Sequence, residues 1–406
     1  MDSLDEYDRY LNVKTREIDV PNERLQECLK NRSALVLGAT GCVGSALLEQ
    51  LEMHDLRKIV GAGLEGPTRK SANVDYQIVD IRSASDVKKL FARTEPDLVF
   101  HLAAQRDPGL AEHAVAQTVD TNVLGTANAV ETASECGVRD FVYASTGKAM
   151  RPYTRDVYAA SKKVAEWVVA KAGKAGGLAV TIARFTHIVD NSIALSRFRT
   201  LCATGNPLPV HDPKAVFYAQ SATESAQLLL TSVLAGRQGL PAICAINNLE
   251  WPFQIIDIAG GVQNELGRDV DLNIIGEQPG YEQAEYFGLL GTEHFGDVSP
   301  LINALEARLM VDIAVPGVDV ALVEIPGSST LDEYFNELVG AGISECDDGI
   351  IKNRVDKFLC EHLRATLANV PQEFIARMLK WPILDGVPKD NPHALISDLI
   401  RERLAG

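Results

Sequence analysis

The sequence predicts an α/β fold, a doubly wound parallel sheet, and three observations carry that prediction. Short apolar runs at 34–37, 59–62, 76–79, 97–102, 141–144 and 179–183 alternate with helical periodicity at 84–93, about 110–136 and 156–174. Strands and helices in that rhythm give a parallel sheet covered on both faces. The first run leads directly into Gly38-x-x-Gly41-x-x-Gly44 and then into a helical pattern from Ala46 onward. After Arg184 the rhythm breaks, with prolines across 188–216 and turn signals such as Pro279-Gly280. A smaller interleaved substrate-binding domain is therefore expected, followed by a mostly helical C-terminal extension.

Taken in order, residues 1–31 read as a polar arm with a short helix entered at Pro21 and running through Leu25 and Leu29. Residues 32–187 form the Rossmann-type domain, to which 217–245 returns through an amphipathic stretch at 221–234. The substrate domain takes 188–216 and 246–340. The extension, 341–406, carries apolar residues at helical spacing at 354–367, 371–380 and 392–404.

The chain has 406 residues, 39 basic and 55 acidic, for a net charge of −16. That balance argues against nucleic-acid and anionic-membrane partners, because phosphates would be repelled overall. Seven cysteines lie scattered with no CxxC pair, the pattern of reduced thiols rather than disulfides or a metal cage. The first residues lack a basic and apolar leader, and no apolar run reaches the roughly 18 residues of a membrane helix. A cytoplasmic protein without a metal is expected.

The glycine turn supplies a physical reason for its spacing. The first glycine allows the tight turn, the second lets backbone approach a pyrophosphate, and the third lets the helix close on the strand. The helix N-terminus then aims free N–H groups at the phosphates of a dinucleotide. Further on, Tyr158 and Lys162 stand four apart on one helical face. A phenol has a free pKa of about 10. A neighbouring ammonium and a nicotinamide cation would favour its phenolate, which could take a carbinol proton as hydride leaves. Helices also carry Tyr-x-x-x-Lys as a plain surface pair. Here Ser145 and Thr146 follow a strand, at the edge where open α/β sheets seat ligands; either could equally be a strand-end cap.

In order along the chain these segments are Gly38-x-x-Gly41-x-x-Gly44, His101-Leu102-Ala103-Ala104, Thr121-Asn122-Val123-Leu124-Gly125-Thr126, Ser145-Thr146 and Tyr158-x-x-x-Lys162. With Ser145-Thr146-Gly147-Lys148-Ala149, 160–166, Arg184-Phe185 and Gly276-Glu277-Gln278-Pro279-Gly280, the chain resembles an extended short-chain dehydrogenase/reductase. Within it, the chain is similar to the CapD-like branch of nucleotide-sugar 4,6-dehydratases and epimerases. The resemblance covers about 33–285. It implies a cofactor site from Gly38, Thr40, Gly41, Cys42, Val43 and Gly44, with Asp80 and Ile81 at the adenine. Leu102, Ala103 and Ala104 would line the channel and Asn122 would support it. Thr146 would hold the substrate hydroxyl, with Tyr158 as base and Lys162 on the ribose. A homodimer through the helices around 110–136 and 156–174 is implied as well.

The departures shape the expected chemistry. The branch's dehydratases carry an acid directly after the threonine, where this chain has Gly147. Without it, loss of water from C6 lacks a general catalyst worth about 10²–10⁴-fold. Lys148 remains as an acid, a base or a phosphate contact. Thr186-His187 replaces Gly-Asn, and Val216 and Gln278 stand where the branch has cations for a nucleotide diphosphate. Arg106, Arg197, Arg199 and Lys214, with Ser145 and His187, are the candidates for the substrate side. At the end of the second strand Gly63 leaves no carboxylate to repel a 2′-phosphate, and Arg69 or Lys70 could bind one. NADP is thus slightly favoured over NAD.

The expected function is NAD(P)-dependent oxidation of a secondary alcohol on a sugar or sugar nucleotide, leading to epimerisation or oxidoreduction. The alternatives are 4,6-dehydration, oxidation of a polyol or cyclitol, and a cofactor sensor without turnover.

Overall fold

The computed structural model describes residues 3–67, 70–276, 280, 298–313, 315–340, 343, 346–378 and 392–405. Nine strands make the main sheet: β1 (Ser33–Leu37), β2 (Lys58–Gly63), β3 (Val74–Ile78), β4 (Leu98–His101), β5 (Asp140–Thr146), β6 (Ala179–Phe185), β7 (Ala242–Ile246), β8 (Met310–Val311) and β9 (Val318–Leu322). Their order across the sheet is 8-9-7-6-5-4-1-2-3, parallel from β3 through to β7, with β8 and β9 running antiparallel at one edge. Strand order reverses between β1 and β4, so a crevice opens above their C-terminal ends. Every residue of β1, β4, β6 and β7 is buried, as expected of strands covered on both faces.

Helix starts follow from capping chemistry. The helix α1 (Ser3–Asn12) opens the chain and α2 (Asn22–Leu29) follows Pro21. Helix α3 (Cys42–Leu51) starts on Gly41, while α4 (Ala84–Thr94) starts on Ser83, whose hydroxyl accepts from the Asp86 N–H. The stretch expected as one long helix is divided. Asp107 caps α5 (Pro108–His113), then come α6 (Val115–Val119), a single π turn over Asp120–Leu124, and α7 (Gly125–Glu135). The π turn adds a residue to the helical path, and Asn122 lies in it. Asp156 accepts from the Ala159 N–H at 3.0 Å and starts α8 (Val157–Lys174).

The small lobe contains α9 (Ile193–Ala203), short ladders pairing 208–210 with 272–274 and 216–217 with 253–254, and α11 (Ile255–Leu266). The helix α10 (Ala222–Ser232) packs beside α3 under the sheet. Its separate core includes Tyr7, Tyr10, Phe198, Phe253 and Ile258. The N-terminal arm is thus part of that core: a Cβ on Gly261 of α11 would meet the Tyr7 ring at 2.0 Å. The segment expected wholly in the substrate domain, 246–340, also returns to the main sheet. It supplies α12 (Ala304–Ala307), β8 and β9, because apolar β9 pairs with β7. The run 318–322 lies between Pro316-Gly317 and Pro326-Gly327, but its pairing with β7 is not encoded locally, and 310–311 is too short to carry a signal. The extension follows as α13 (Ser329–Val339), α14 (Asp348–Ala368), α15 (Gln372–Met378) and α16 (Pro392–Ala405). Among the described residues no helix is long and apolar enough to cross a membrane, and no cluster of metal-ligating side chains occurs.

Candidate active site

The glycine turn lies where β1 enters α3. Gly38 has φ +88°, and a Cβ there would stand 2.6 Å from the Ala103 N, so backbone from β1 and the end of β4 press together. A Cβ on Gly44 would meet the Gly38 carbonyl at 2.3 Å, which fixes the helix against the turn. Gly41 differs: only the Gly38 carbonyl lies within 4 Å, at 3.4 Å, and Thr40 and Gly41 are exposed. The N–H groups of Cys42, Val43 and Gly44 open α3, whose cap offers no side-chain acceptor. This turn fits a dinucleotide pyrophosphate. Leu102, Ala103 and Ala104 continue it as a half-buried wall.

The Thr146 hydroxyl at the end of β5 faces the Tyr158 phenol on the first turn of α8. Burial pushes that phenol up to about 12; Asp156 adds to this, and the Thr146 hydrogen bond and the Arg106 charge oppose it. Burial thus opposes the phenolate that the Tyr158–Lys162 spacing and a nicotinamide charge are expected to favour. Lys162, 3% exposed, donates to the Ala144 carbonyl at 2.6 Å and lies 4.2 Å over the Tyr143 ring. Burial draws its pKa down to about 7, with Glu166 working against that.

Asn122 is held between elements. Its Oδ1 accepts from the Gln105 N–H at 2.8 Å, and its Nδ2 donates to the Gln105 carbonyl and to Ser161, each at 3.0 Å. Both amide ends are committed, so it positions the channel loop against α8 rather than offering a cofactor contact. Lys148 donates to Asp156 at 3.0 Å and to the Gly280 carbonyl at 2.9 Å, tying the cleft's outer loop to the start of α8. Gly280, at φ +82°, passes so close to Pro108 that a Cβ would stand 2.4 Å from its carbonyl.

Several candidates are placed elsewhere. Ser145 donates to Glu166 at 2.6 Å and is 5% exposed; it belongs to a buried network and not to a substrate surface. In that network Arg184 grips Glu166 and Glu306 and also donates to the Leu301 carbonyl. His187 is packed in the small lobe: its Nε2 lies 3.0 Å from both the Tyr10 and Ser192 hydroxyls, and its ring centre is 5.0 Å from that of Phe217. Ile81 packs under α7, 2.7 Å from where a Cβ on Gly125 would stand, and its carbonyl accepts from Asn128. Asp80 is gripped by Arg82, which holds its carboxyl below the usual range.

Arg106, Arg197 and Lys214 are exposed, without ion pairs among the described residues. Arg106 lies near enough to act on both Tyr158 and Cys42. Lys14, in the N-terminal arm, also bears on Cys42. Arg199 pairs with Glu265 at 3.0 Å. Gly63 ends β2, and its Cβ would lie 3.1 Å from the Thr40 hydroxyl. Arg69 and Gln278 lie outside the described residues.

Residues 34–294 match the family described as polysaccharide biosynthesis protein. The probable polysaccharide biosynthesis protein EpsC of Bacillus subtilis (strain 168) is 24% identical over 306 residues, covering 71% of this chain and 50% of that protein. The capsular polysaccharide biosynthesis protein CapD of Staphylococcus aureus is 26% identical over 269 residues, covering 62% and 44%. The chain thus spans about half the length of these two curated relatives. In fold it is similar to the UDP-glucose 4-epimerase of Thermus thermophilus, solved in complex with NAD, with a TM-score of 0.53 and 20% identity over 61% of this chain and 87% of that one. A glycine turn at the strand-order reversal, a Thr–Tyr pair beside it and a match running through both make this chain a member of the polysaccharide biosynthesis protein family.

Proposed function

We propose that this chain oxidises a secondary alcohol of a sugar nucleotide with NAD(P) and completes an epimerisation or a net oxidoreduction. The observation that carries the reading is the Tyr158 phenol beside Thr146, across the switch-point crevice from an open glycine turn. Bound at that turn, NAD(P) would supply the hydride acceptor.

The protein's own groups do the rest. Thr146 orients the substrate hydroxyl, and Tyr158 takes its proton as the carbon–hydrogen bond breaks. Lys162 can turn from the Ala144 carbonyl toward a ribose, and its ammonium then favours the phenolate that burial disfavours. Lys148 holds the outer loop, and Arg106, with Arg197 and Lys214 further out, offers positive charge to a diphosphate. The reading of NADP over NAD rests on Gly63.

Epimerisation ranks above 4,6-dehydration because residue 147 carries no acid, and a side chain there would require Leu301 to shift. A Cβ there would stand 2.6 Å from Leu301 Cδ2. Incubating the protein with NAD or NADP and UDP-sugars, followed by NMR, tests the ranking. An epimer or a stable keto or acid product is expected. Rapid formation of a 4-keto-6-deoxy sugar from UDP-GlcNAc would overturn it.

A further inference from the structure

Helix α8 is buried almost all round, from Val157 to Ala170 with only Tyr158 half-buried. A helix on a protein surface keeps a polar stripe, and α8 keeps only its last turn open, at Lys171 and Lys174. Its outward stripe, Lys163, Trp167 and Lys171, repeats every four residues and so lies on one face. The chain's own extension covers that face. Trp167 packs between Phe335 of α13 and Phe358 of α14, with ring centres 5.3 and 5.1 Å away. Lys171 pairs with Asp332 of α13, and the His362 ring of α14 lies close enough to Lys163 to feel its charge.

The same cover reaches the start of α8. Glu112 of α5 accepts from the Val157 N–H through Oε1 at 2.8 Å and from Lys352 of α14 through Oε2 at 2.7 Å. Tyr153 donates to Asp356 of α14. On its inner side α14 buries Ile351, Val355, Phe358, Leu359, Leu363 and Leu367, a seam at helical spacing. These contacts also reach α6 and the π turn, the other helical stretch through which a homodimer was expected.

We propose that α13 and α14 occupy, within one chain, the helical face that two subunits would otherwise share, so that α8 is never an intersubunit helix. A second copy could reach α8 only by displacing an aromatic-centred, ion-paired seam that folding has already closed. Because that seam is tethered, it forms without the loss of translational and rotational freedom that a partner subunit would incur.

The test uses the full chain, as an equal mixture of isotopically light and heavy protein. Carbodiimide treatment joins carboxylates to amines already in contact, and mass spectrometry reads the Glu112–Lys352 product. Light–light and heavy–heavy pairs alone are expected, with sedimentation giving the mass of one chain. A dimer that still shows only unmixed Glu112–Lys352 pairs has formed through another face and supports the proposal. Mixed pairs, absence of this product, or links joining α7 or α8 of two chains would overturn it. None of these readouts depends on a substrate, so they remain decisive if the proposed activity fails.

Discussion

Leu301 Cδ2 stands 2.6 Å from the point where a side chain on Gly147 would begin. Leu301 itself is fully buried, anchored by its carbonyl to Arg184. An acid at 147 would therefore overpack this corner. Gly147→Asp is expected to lower stability by about 1–3 kcal/mol, the usual range for overpacking. Adding Leu301→Ala should return part of that by making room. Urea unfolding of both variants checks this; a Gly147→Asp protein as stable as the parent would show that Leu301 moves freely.

Arg184 is fully buried between two carboxylates. Replacing it with Met leaves Glu166 and Glu306 buried and unpaired, which typically costs about 3–5 kcal/mol. The loss should grow with pH through the carboxylate range, because protonation relieves an uncompensated carboxylate. Denaturant midpoints measured against pH would reveal it, and a flat difference would contradict the network.

His101 is fully buried, with Nε2 2.9 Å from the Thr126 hydroxyl. That hydroxyl donates to the Asn122 carbonyl, so it accepts from Nε2–H, and Nδ1 is left without a partner. Burial draws this histidine down to about 3. The folded pKa lies below the unfolded value of 6.5, so stability is full above pH 6.5 and falls as the pH drops from there toward 3. Each such histidine contributes a slope of about 1.4 kcal/mol per pH unit inside that window. His101→Phe should reduce the slope of stability against pH by that amount. An unchanged slope would contradict a neutral His101.

Gly63 ends β2 beside the Thr40 hydroxyl. Placing a carboxylate there with Gly63→Asp should weaken NADP relative to NAD by about tenfold or more, since about 1.4 kcal/mol is a factor of ten. Calorimetric titration with both cofactors reads the ratio; no change would remove Gly63 from the cofactor argument.

Much of this arrangement could be read from the chain alone. The strands around Leu35, Val60, Val99, Val142 and Ile182 announced themselves because each is a short apolar run closed by turn or charged residues. The glycine turn was equally legible, since backbone contact leaves no alternative at Gly38 and Gly44. What escaped was long-range pairing. Ser145 reads as a strand-end hydroxyl, and only the fold brings Glu166 to it. His187 reads as a substrate contact until Tyr10, from the N-terminal arm, closes on it. The strand β9, one in from the sheet edge, joins β7 across more than seventy residues, a separation that local periodicity does not encode.

The central claim is that Tyr158, as the phenolate that the Lys162 ammonium favours, accepts the substrate hydroxyl proton during hydride transfer. Stopped-flow absorbance of the reduced nicotinamide, comparing the parent chain with Tyr158→Phe at equal cofactor occupancy, tests it most directly. Reduction should slow by about 10²–10⁴-fold in the variant, the share of a general base, while cofactor affinity stays unchanged. Equal rates in the two proteins would contradict the account.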